Sequence, residues 1–450
     1  GKRPSPRAAR SRVEVYTKPI ATESNPRVFL SAGEASGDAY GAALIAALKR
    51  GLPEAQFTGL GGLQMQHAGQ HRIVRAEDVA HMGITEVLRH APFIYRQYRK
   101  LVGHIRQHKP DIAVLIDFPD VNFRLAKHLA RAGVPVVWFV SPQLWAWKRA
   151  RLRWVQERVN KMLVIFPFEE PFYRDRGVDA EFVGHPLAAA AHPPIPREVY
   201  AAQHHLDPNR TWIALLPGSR WKEVRANLPA LHELAMSDLI GSAAAYTTFD
   251  GSTTRQPADP AAHTLYEFLL PVASTIDRKQ LLRLIDTLNA QHLRYFGPEA
   301  ATLRLTLVPD AAEALAQARA SVVASGTATV LAAVAGNPFV VVYRVSPLTF
   351  ALAKQLVRYP PEFRARRDAA GNLPVAMVNL IAQRRLVPEL LQGRFTAGNV
   401  ASALAPLLSD GPERDRQLAG LAEVRDRLTL VGAASPIDRV AEAVLELLQI

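Results

Sequence analysis

Each half of the chain carries the same local pattern: an apolar run, a glycine turn, then a segment with helical spacing. In the first half RVFLSA, from Arg27 to Ala32, runs into SAGEASGD, Ser31 to Asp38. In the second, Trp212 to Leu216 runs into LLPGSRWKEV, Leu215 to Val224. A strand that enters a glycine turn and then a helix is the building unit of a doubly wound parallel sheet, and ligands bind where such strands end. Two such turns in a chain of 450 residues predict two α/β domains with a polar cleft between them. That arrangement suits a phosphorylated ligand, and a nucleotide-activated one best.

The intervening pattern supports parallel sheets. Gln56 to Leu60, Asp111 to Asp117, Val134 to Val140, Lys161 to Phe166 and Ala180 to Val183 read as strands in the first half. Trp212 to Leu216, Tyr266 to Pro271, Leu303 to Val308, Ser321 to Ala324 and Phe339 to Tyr343 read as strands in the second. They are β-branched runs rather than alternations, as expected of strands covered on both faces. Helical spacing falls between them, as at Asp38 to Lys49, Pro92 to His108, Asn122 to Arg131, Phe168 to Asp175, Glu223 to Ala235, Ile276 to Leu288 and Thr327 to Ala335. The expected divisions are a basic, disordered tail over 1–25, a first Rossmann-like domain over 26–190, and a proline-marked linker over 191–208. A second Rossmann-like domain over 209–400 and C-terminal helices over 401–450, packing back toward the first domain, complete the chain. Residues 241–262 are polar, poorly patterned and read as a loop insertion.

Composition narrows the function classes. There are 54 basic residues against 41 acidic, a formal charge of +13. Such a balance favours anionic partners: nucleic acid, an anionic membrane face or phosphorylated substrates. No zinc-finger spacing and no aromatic–basic repeat is present, so nucleic acid is not expected. There is no cysteine, which excludes disulfides and thiolate chemistry. No apolar run reaches the roughly 18 residues that a membrane span needs. The basic start has no apolar core, so it is not read as a secretory signal. No His/Asp/Glu cluster has metal-ligand spacing, and no metal is expected.

Gly33 and Gly37 let backbone approach a ligand, but Glu34 and Asp38 would repel phosphate, so a sugar hydroxyl suits this turn better. Ser36 shares it. Gly218 and Ser219 offer amides and a hydroxyl, and Arg220 offers a planar, permanently charged fork for phosphate oxygens. Ser325, Gly326 and Thr327 repeat the theme, so that two turns could grip one diphosphate. Fixed dipoles there would meet charge developing on a leaving nucleotide. Asp117 ends a buried strand, where a carboxylate facing a cleft can serve as a general base. Asp120 and Asn122 lie near a helix start, where capping is the simpler explanation. Ser141 and His185 sit at other strand ends, and His185 reads equally as a structural histidine. Trp145 and Trp147, beside Lys148 and Arg149, read either as core tryptophans or as an amphipathic rim suited to anionic headgroups.

Taken together, GEASGD, IDFPDVN, FVSPQLWAW, FPFE, FVGHPL, LLPGSRWKEV, ASGTAT, VVVYR and VNLIAQRRLVPELLQ, in this order, resemble the lipid-A-disaccharide synthase family. The likeness runs from about Val28 to Gln392. It implies a GT-B fold, in which two Rossmann-like domains face each other across a cleft, the first taking the lipid acceptor and the second the UDP-sugar. It implies an inverting transferase that joins UDP-2,3-diacylglucosamine to 2,3-diacylglucosamine 1-phosphate through a β-1,6 bond, releasing UDP. It also implies a peripheral protein on the cytoplasmic face of the bacterial inner membrane, acting on acylated anionic sugar lipids. No cofactor is implied, the UDP-sugar being a substrate, and a homodimer is compatible with it. By the same resemblance Asp117 is the base toward the acceptor 6-hydroxyl. Gly218, Ser219, Arg220, Glu223, Ser325, Gly326 and Thr327 belong to the donor side, as do Asn379, Glu389 and Gln392. Gly33, Glu34, Ser36, Gly37, Asp38, Asp120, Asn122, Ser141 and His185 fall on the acceptor or cleft side.

Three positions depart from the family pattern. Leu331 stands where the family carries a glutamate in SGTATLE, so that the role of this acid is lost, passes to Glu389 or marks a different donor. Gln383 replaces a glycine in NLIAGR, and 241–262 has no clear counterpart. Two other functions remain open on the sequence: another UDP-sugar GT-B enzyme or epimerase-like protein, and a non-catalytic lipid or nucleotide binder.

Overall fold

A computed structural model of the chain describes residues 25–79, 84–189, 194–236, 266–297, 305–360, 363, 367–430 and 435–449. The basic tail up to residue 24 and the insertion at 241–262 lie outside these. The chain divides into two compact units, residues 1–137 with 440–450, and residues 138–439.

The first sheet has seven strands: β1 (Arg27–Ala32), β2 (Gln56–Gly61), β3 (Gln70–Arg75), β4 (Ile112–Ile116), β5 (Val136–Phe139), β6 (Lys161–Val164) and β7 (Ala180–Phe182). Their spatial order is β3-β2-β1-β4-β5-β6-β7. The second has six: β8 (Thr211–Leu216), β9 (Tyr266–Pro271), β10 (Leu305–Val308), β11 (Ala320–Ala324), β12 (Phe339–Tyr343) and β13 (Glu389–Leu391), in the order β10-β9-β8-β11-β12-β13. The pairings of β1 with β2 and β4, and of β8 with β9 and β11, are parallel. β4, IAVLI, and β11, ASVVA, are buried along their whole length, as strands must be when helices cover both faces. In the second unit Leu228, Leu231 and Leu234 of helix Trp221–Met236 and Val400 and Leu404 of helix Ala397–Leu408 pack onto Ile213, Leu215, Val322 and Val340.

In each sheet the winding reverses once, between β1 and β4 and between β8 and β11. These are the switch points where adjacent strand ends open a crevice for ligand. The turns singled out from sequence sit there: Gly33 and Asp117 follow β1 and β4, and Gly218 and Ser325 follow β8 and β11.

Three elements depart from the sequence expectations. β3, QHRIVR, is an edge strand with a mixed burial pattern, so it lacks the continuous apolar run of its neighbours. The helix expected from Pro92 begins at Ile84 and holds Pro92 inside it, so the proline was not a start signal. The expected linker carries helix Arg197–His204. Its Tyr200 and Ala201 are buried against Trp212 and Leu269, and the Arg197 guanidinium lies 3.6 Å over the Trp212 ring. Proline density marked the start of this helix, not a free tether.

Candidate functional site

At the first switch point β1 leads into Gly33. A Cβ there would lie 2.4 Å from the Phe118 ring, so only glycine fits beneath that side chain. Glu34 and Ser36 are exposed at the start of helix Ala35–Gly51, and Gly37 packs on Ala32. Asp38 is turned inward. It is buried, and its carboxylate accepts from the amides of Gly62 at 2.8 Å and of Gln64 and Met65 at 3.0 Å. It caps helix Leu63–Ala68, where an anion meets free N–H groups. Its expected place facing a ligand is corrected accordingly.

β4 is followed by Asp117 and Phe118, with φ of 45° and 49°, and then by Pro119 at the start of helix Pro119–Arg131. Two successive non-glycine residues in the left-handed region, the second before proline, are sterically unfavourable, and such strain concentrates at functional sites. Asp117 is half-buried and Asp120 exposed. Burial, and then the Asp117 charge, push the Tyr40 phenol up to about 12. Tyr40 therefore stays protonated close to the Asp117 carboxylate. Sequence reasoning missed it, because an aromatic in helical spacing reads as core. Asn122, expected either on the acceptor side or as a cap, is neither. It is buried, and its side chain bonds to backbone of β1 and β4.

In the second unit Ser141 and Trp145 are buried and both donate to Glu169 Oε1, at 2.6 and 3.1 Å. The Trp145 ring stacks on Phe363, with centroids 5.0 Å apart. Trp145 thus belongs to the core and is withdrawn from the lipid rim, while Ser141 is an internal donor rather than an acceptor contact. Burial raises Glu169 to about 7, against the pull of those hydrogen bonds. His185 is buried too; its Nδ1 accepts from the Leu187 amide, and burial lowers it to about 4. It is a neutral structural histidine. Trp147 is 46% exposed, with the Lys148 ammonium 4.1 Å from its ring centre, and Arg149 is exposed beside them.

At the second switch point Gly218 has φ 131°, and a Cβ there would lie 2.6 Å from Glu223. Glu223 Oε2 accepts from the amides of Ser219 and Arg220, at 3.2 and 3.3 Å. Glu223 therefore shapes the turn, while the Arg220 side chain is 68% exposed. On the neighbouring strand Ser325 Oγ donates to Val375 O at 3.3 Å. Gly326, φ 150°, and Thr327 are exposed and open helix Thr327–Val334. Glu389 Oε1 accepts from Val375 N, Ala376 N and Asn379 Nδ2, at 3.0, 2.9 and 2.8 Å, and its Oε2 pairs with Arg385. Asn379 also clamps the amides of Leu386 and Val387. Ser325, Asn379 and Glu389 thus form one hydrogen-bonded patch. Gln392, φ 51°, accepts from Val345 N, and its buried Nε2 has no partner among the described residues. Leu331 is half-buried in helix Thr327–Val334.

Among the described residues no group of three or more His, Asp or Glu is placed to hold a metal ion, and no helix is long and apolar enough to cross a membrane.

Two parallel sheets, each with glycine turns at its switch point, an acid at one and an arginine at the other, define a two-sheet α/β fold of the GT-B class. The fold agrees with the solved calicheamicin glycosyltransferase CalG4, at TM-score 0.52 and 15% identity over 94% of this chain and 98% of that one. The sequence is more specific. A family model described as lipid-A-disaccharide synthetase matches residues 28–240 and 268–435. The lipid-A-disaccharide synthase of Acidobacterium capsulatum is 49% identical over 95% of this chain and 97% of its own. That of Koribacter versatilis is 45% identical over 94% and 99%. The chain belongs to the lipid-A-disaccharide synthase family.

Proposed function

We propose that this enzyme joins UDP-2,3-diacylglucosamine to 2,3-diacylglucosamine 1-phosphate, giving the β-1,6-linked disaccharide 1-phosphate and UDP. The observation that carries the mechanism is Asp117, held half-buried in a left-handed turn at the end of β4. A fixed carboxylate at a switch point suits a general base. It takes the proton of the acceptor 6-hydroxyl as that oxygen attacks the anomeric carbon from the face opposite UDP. Exposed Arg220 and the turns at Gly218–Ser219 and Ser325–Thr327 suit the diphosphate, whose charge grows as the bond to the sugar breaks. Glu223, Asn379 and Glu389 act by shaping these turns: Glu223 Oε2 and Glu389 Oε1 accept from backbone amides, Asn379 bonds to backbone and to Glu389, and the other carboxylate oxygens pair with Arg220 and Arg385. Glu389 is accordingly not free to take over the acid missing at Leu331.

We also propose peripheral binding to an anionic membrane, on the cytoplasmic face of the inner membrane. Trp147, Lys148 and Arg149 supply an aromatic tip with basic neighbours. Arg358 N donates to Ala146 O at 3.2 Å, fastening this loop beside helix Pro347–Leu356, where Leu352 and Leu356 are exposed. No acidic residue occurs from 142 to 156 or from 346 to 361. The chemistry is tested by incubating purified protein with both lipids and following disaccharide and UDP. Both form with the unsubstituted chain. UDP release without disaccharide, or no turnover at all, contradicts the proposal.

A further inference from the structure

The turn that presents Asp117 is not one its own sequence prefers. Asp117 and Phe118 both lie in the left-handed region, and Phe118 precedes a proline, which disfavours helical backbone. The surroundings must impose this conformation. One side chain does most of the holding. Asn122 Nδ2 donates to the Asp117 carbonyl at 2.7 Å and reaches the carbonyls of Ile116 and Ser31, each at 3.3 Å. Ser31 Oγ donates to Asn122 Oδ1 at 2.6 Å, which fixes which end of the amide faces the carbonyls. Both residues are fully buried. Asn122 does not serve as a helix cap: Phe118 holds that position, without a side-chain bond. The shortest of the Nδ2 contacts ends on the carbonyl of Asp117 itself.

We infer that Asn122, oriented by Ser31, is a positioning residue that holds the Asp117–Phe118 turn and thereby aims the Asp117 carboxylate. The inference rests on Asp117 being the base. Without the amide, the turn relaxes toward the extended backbone that a residue before proline prefers, and the carboxylate swings off line. The Phe118 ring, which covers Gly33, moves with it. Substrate binding does not depend on this amide, so the loss falls on kcat rather than KM.

The test compares Asn122→Ala, Ser31→Ala, Asp117→Asn and the double variant Asn122→Ala/Phe118→Gly, each confirmed folded by circular dichroism and a cooperative melt. Asn122→Ala should lower kcat on the order of 100-fold, as misplacement of a reacting group does, with both KM values and UDP affinity unchanged. Ser31→Ala should lower kcat by about five-fold, the worth of one neutral hydrogen bond. Glycine takes positive φ freely, so the double variant should turn over faster than Asn122→Ala alone. The inference is overturned if folded Asn122→Ala keeps its kcat, if kcat and UDP affinity fall together, or if the glycine restores nothing. Should Asn122→Ala not fold, Ser31→Ala decides alone, and an unchanged kcat overturns the inference. Asp117→Asn separates the two levels: if it remains active the base assignment is lost, whereas if it is inactive while Asn122→Ala is active only the positioning role is lost.

Discussion

The two switch points share a topology and differ in what they do with it. At β1/β4 the polar atoms of Asp38 and Asn122 are turned inward, and Asp117 is left half-buried in a strained turn. At β8/β11 a carboxylate again accepts turn amides, but Glu223 stays 40% exposed, and its other oxygen lies 3.9 Å from the more exposed Arg220 guanidinium. Winding order sets where a site lies. The sign of the group left facing out sets what it does: a fixed anion can accept a proton, and a fixed cation can hold a diphosphate. In both turns glycine is required by space, Gly33 beneath Phe118 and Gly218 beside Glu223.

The largest expected difference is chemical. Asp117→Ala should lower kcat by about 10²–10⁴, the usual worth of a positioned base, measured as disaccharide formed at saturating lipids. Arg220→Ala should act on the other switch point. Losing hydrogen bonds from a charged group, worth about 1.5–3 kcal/mol, should raise the donor KM by roughly 10- to 100-fold with little change in acceptor KM. If Arg220→Ala raises only the acceptor KM, the division of labour is reversed.

A smaller effect concerns stability within the second unit. Glu169, raised to about 7, holds a proton that the unfolded chain loses near 4.5, so its part of the stability falls as pH rises between those values. His185, lowered to about 4, stays neutral where the unfolded chain gains a proton below 6.5, so its part rises with pH over that window. The two slopes oppose each other from about pH 4.5 to 6.5 in the intact protein. Relative to the unsubstituted chain, melting temperature across this range should therefore rise more with pH in Glu169→Gln and rise less, or fall, in His185→Gln. Parallel slopes in the two variants contradict this assignment. The smallest effect is at Gln383, φ 55°, which ends helix Met377–Ala382 in the left-handed region. Gln383→Gly should stabilise by about 0.5–1 kcal/mol in denaturant melts, since glycine adopts that cap without the Cβ clash; a loss of stability would show that its side chain contributes more than the backbone strain costs.

Much of this was legible in the sequence because continuous apolar runs and glycine turns are local signals. β1, β4, β8 and β11 and the turns after them lie where their patterns predict. The edge strand β3, with mixed burial, and the buried but three-residue β13 leave too short or too broken an apolar run to show a pattern. The site residues were harder, because an acid at a strand end looks the same whether it faces out or in. Asp38 and Asp117 both sit in motif turns, and only the amides of Gly62, Gln64 and Met65, distant in sequence, decide that Asp38 turns in. Trp145 and Trp147 are two residues apart in one basic stretch, yet the first packs on Phe363 and the second is exposed. Likewise, the substitution at Gln383 found a backbone meaning only once its φ was known.

The division of roles is tested most directly by calorimetric titration of UDP into Asp117→Ala. The affinity expected is that of the unsubstituted chain, as follows from the proposal that the carboxylate acts on the acceptor hydroxyl while the second sheet holds the nucleotide. A loss of UDP affinity matching the loss of turnover would contradict it, placing Asp117 among the groups that hold the donor.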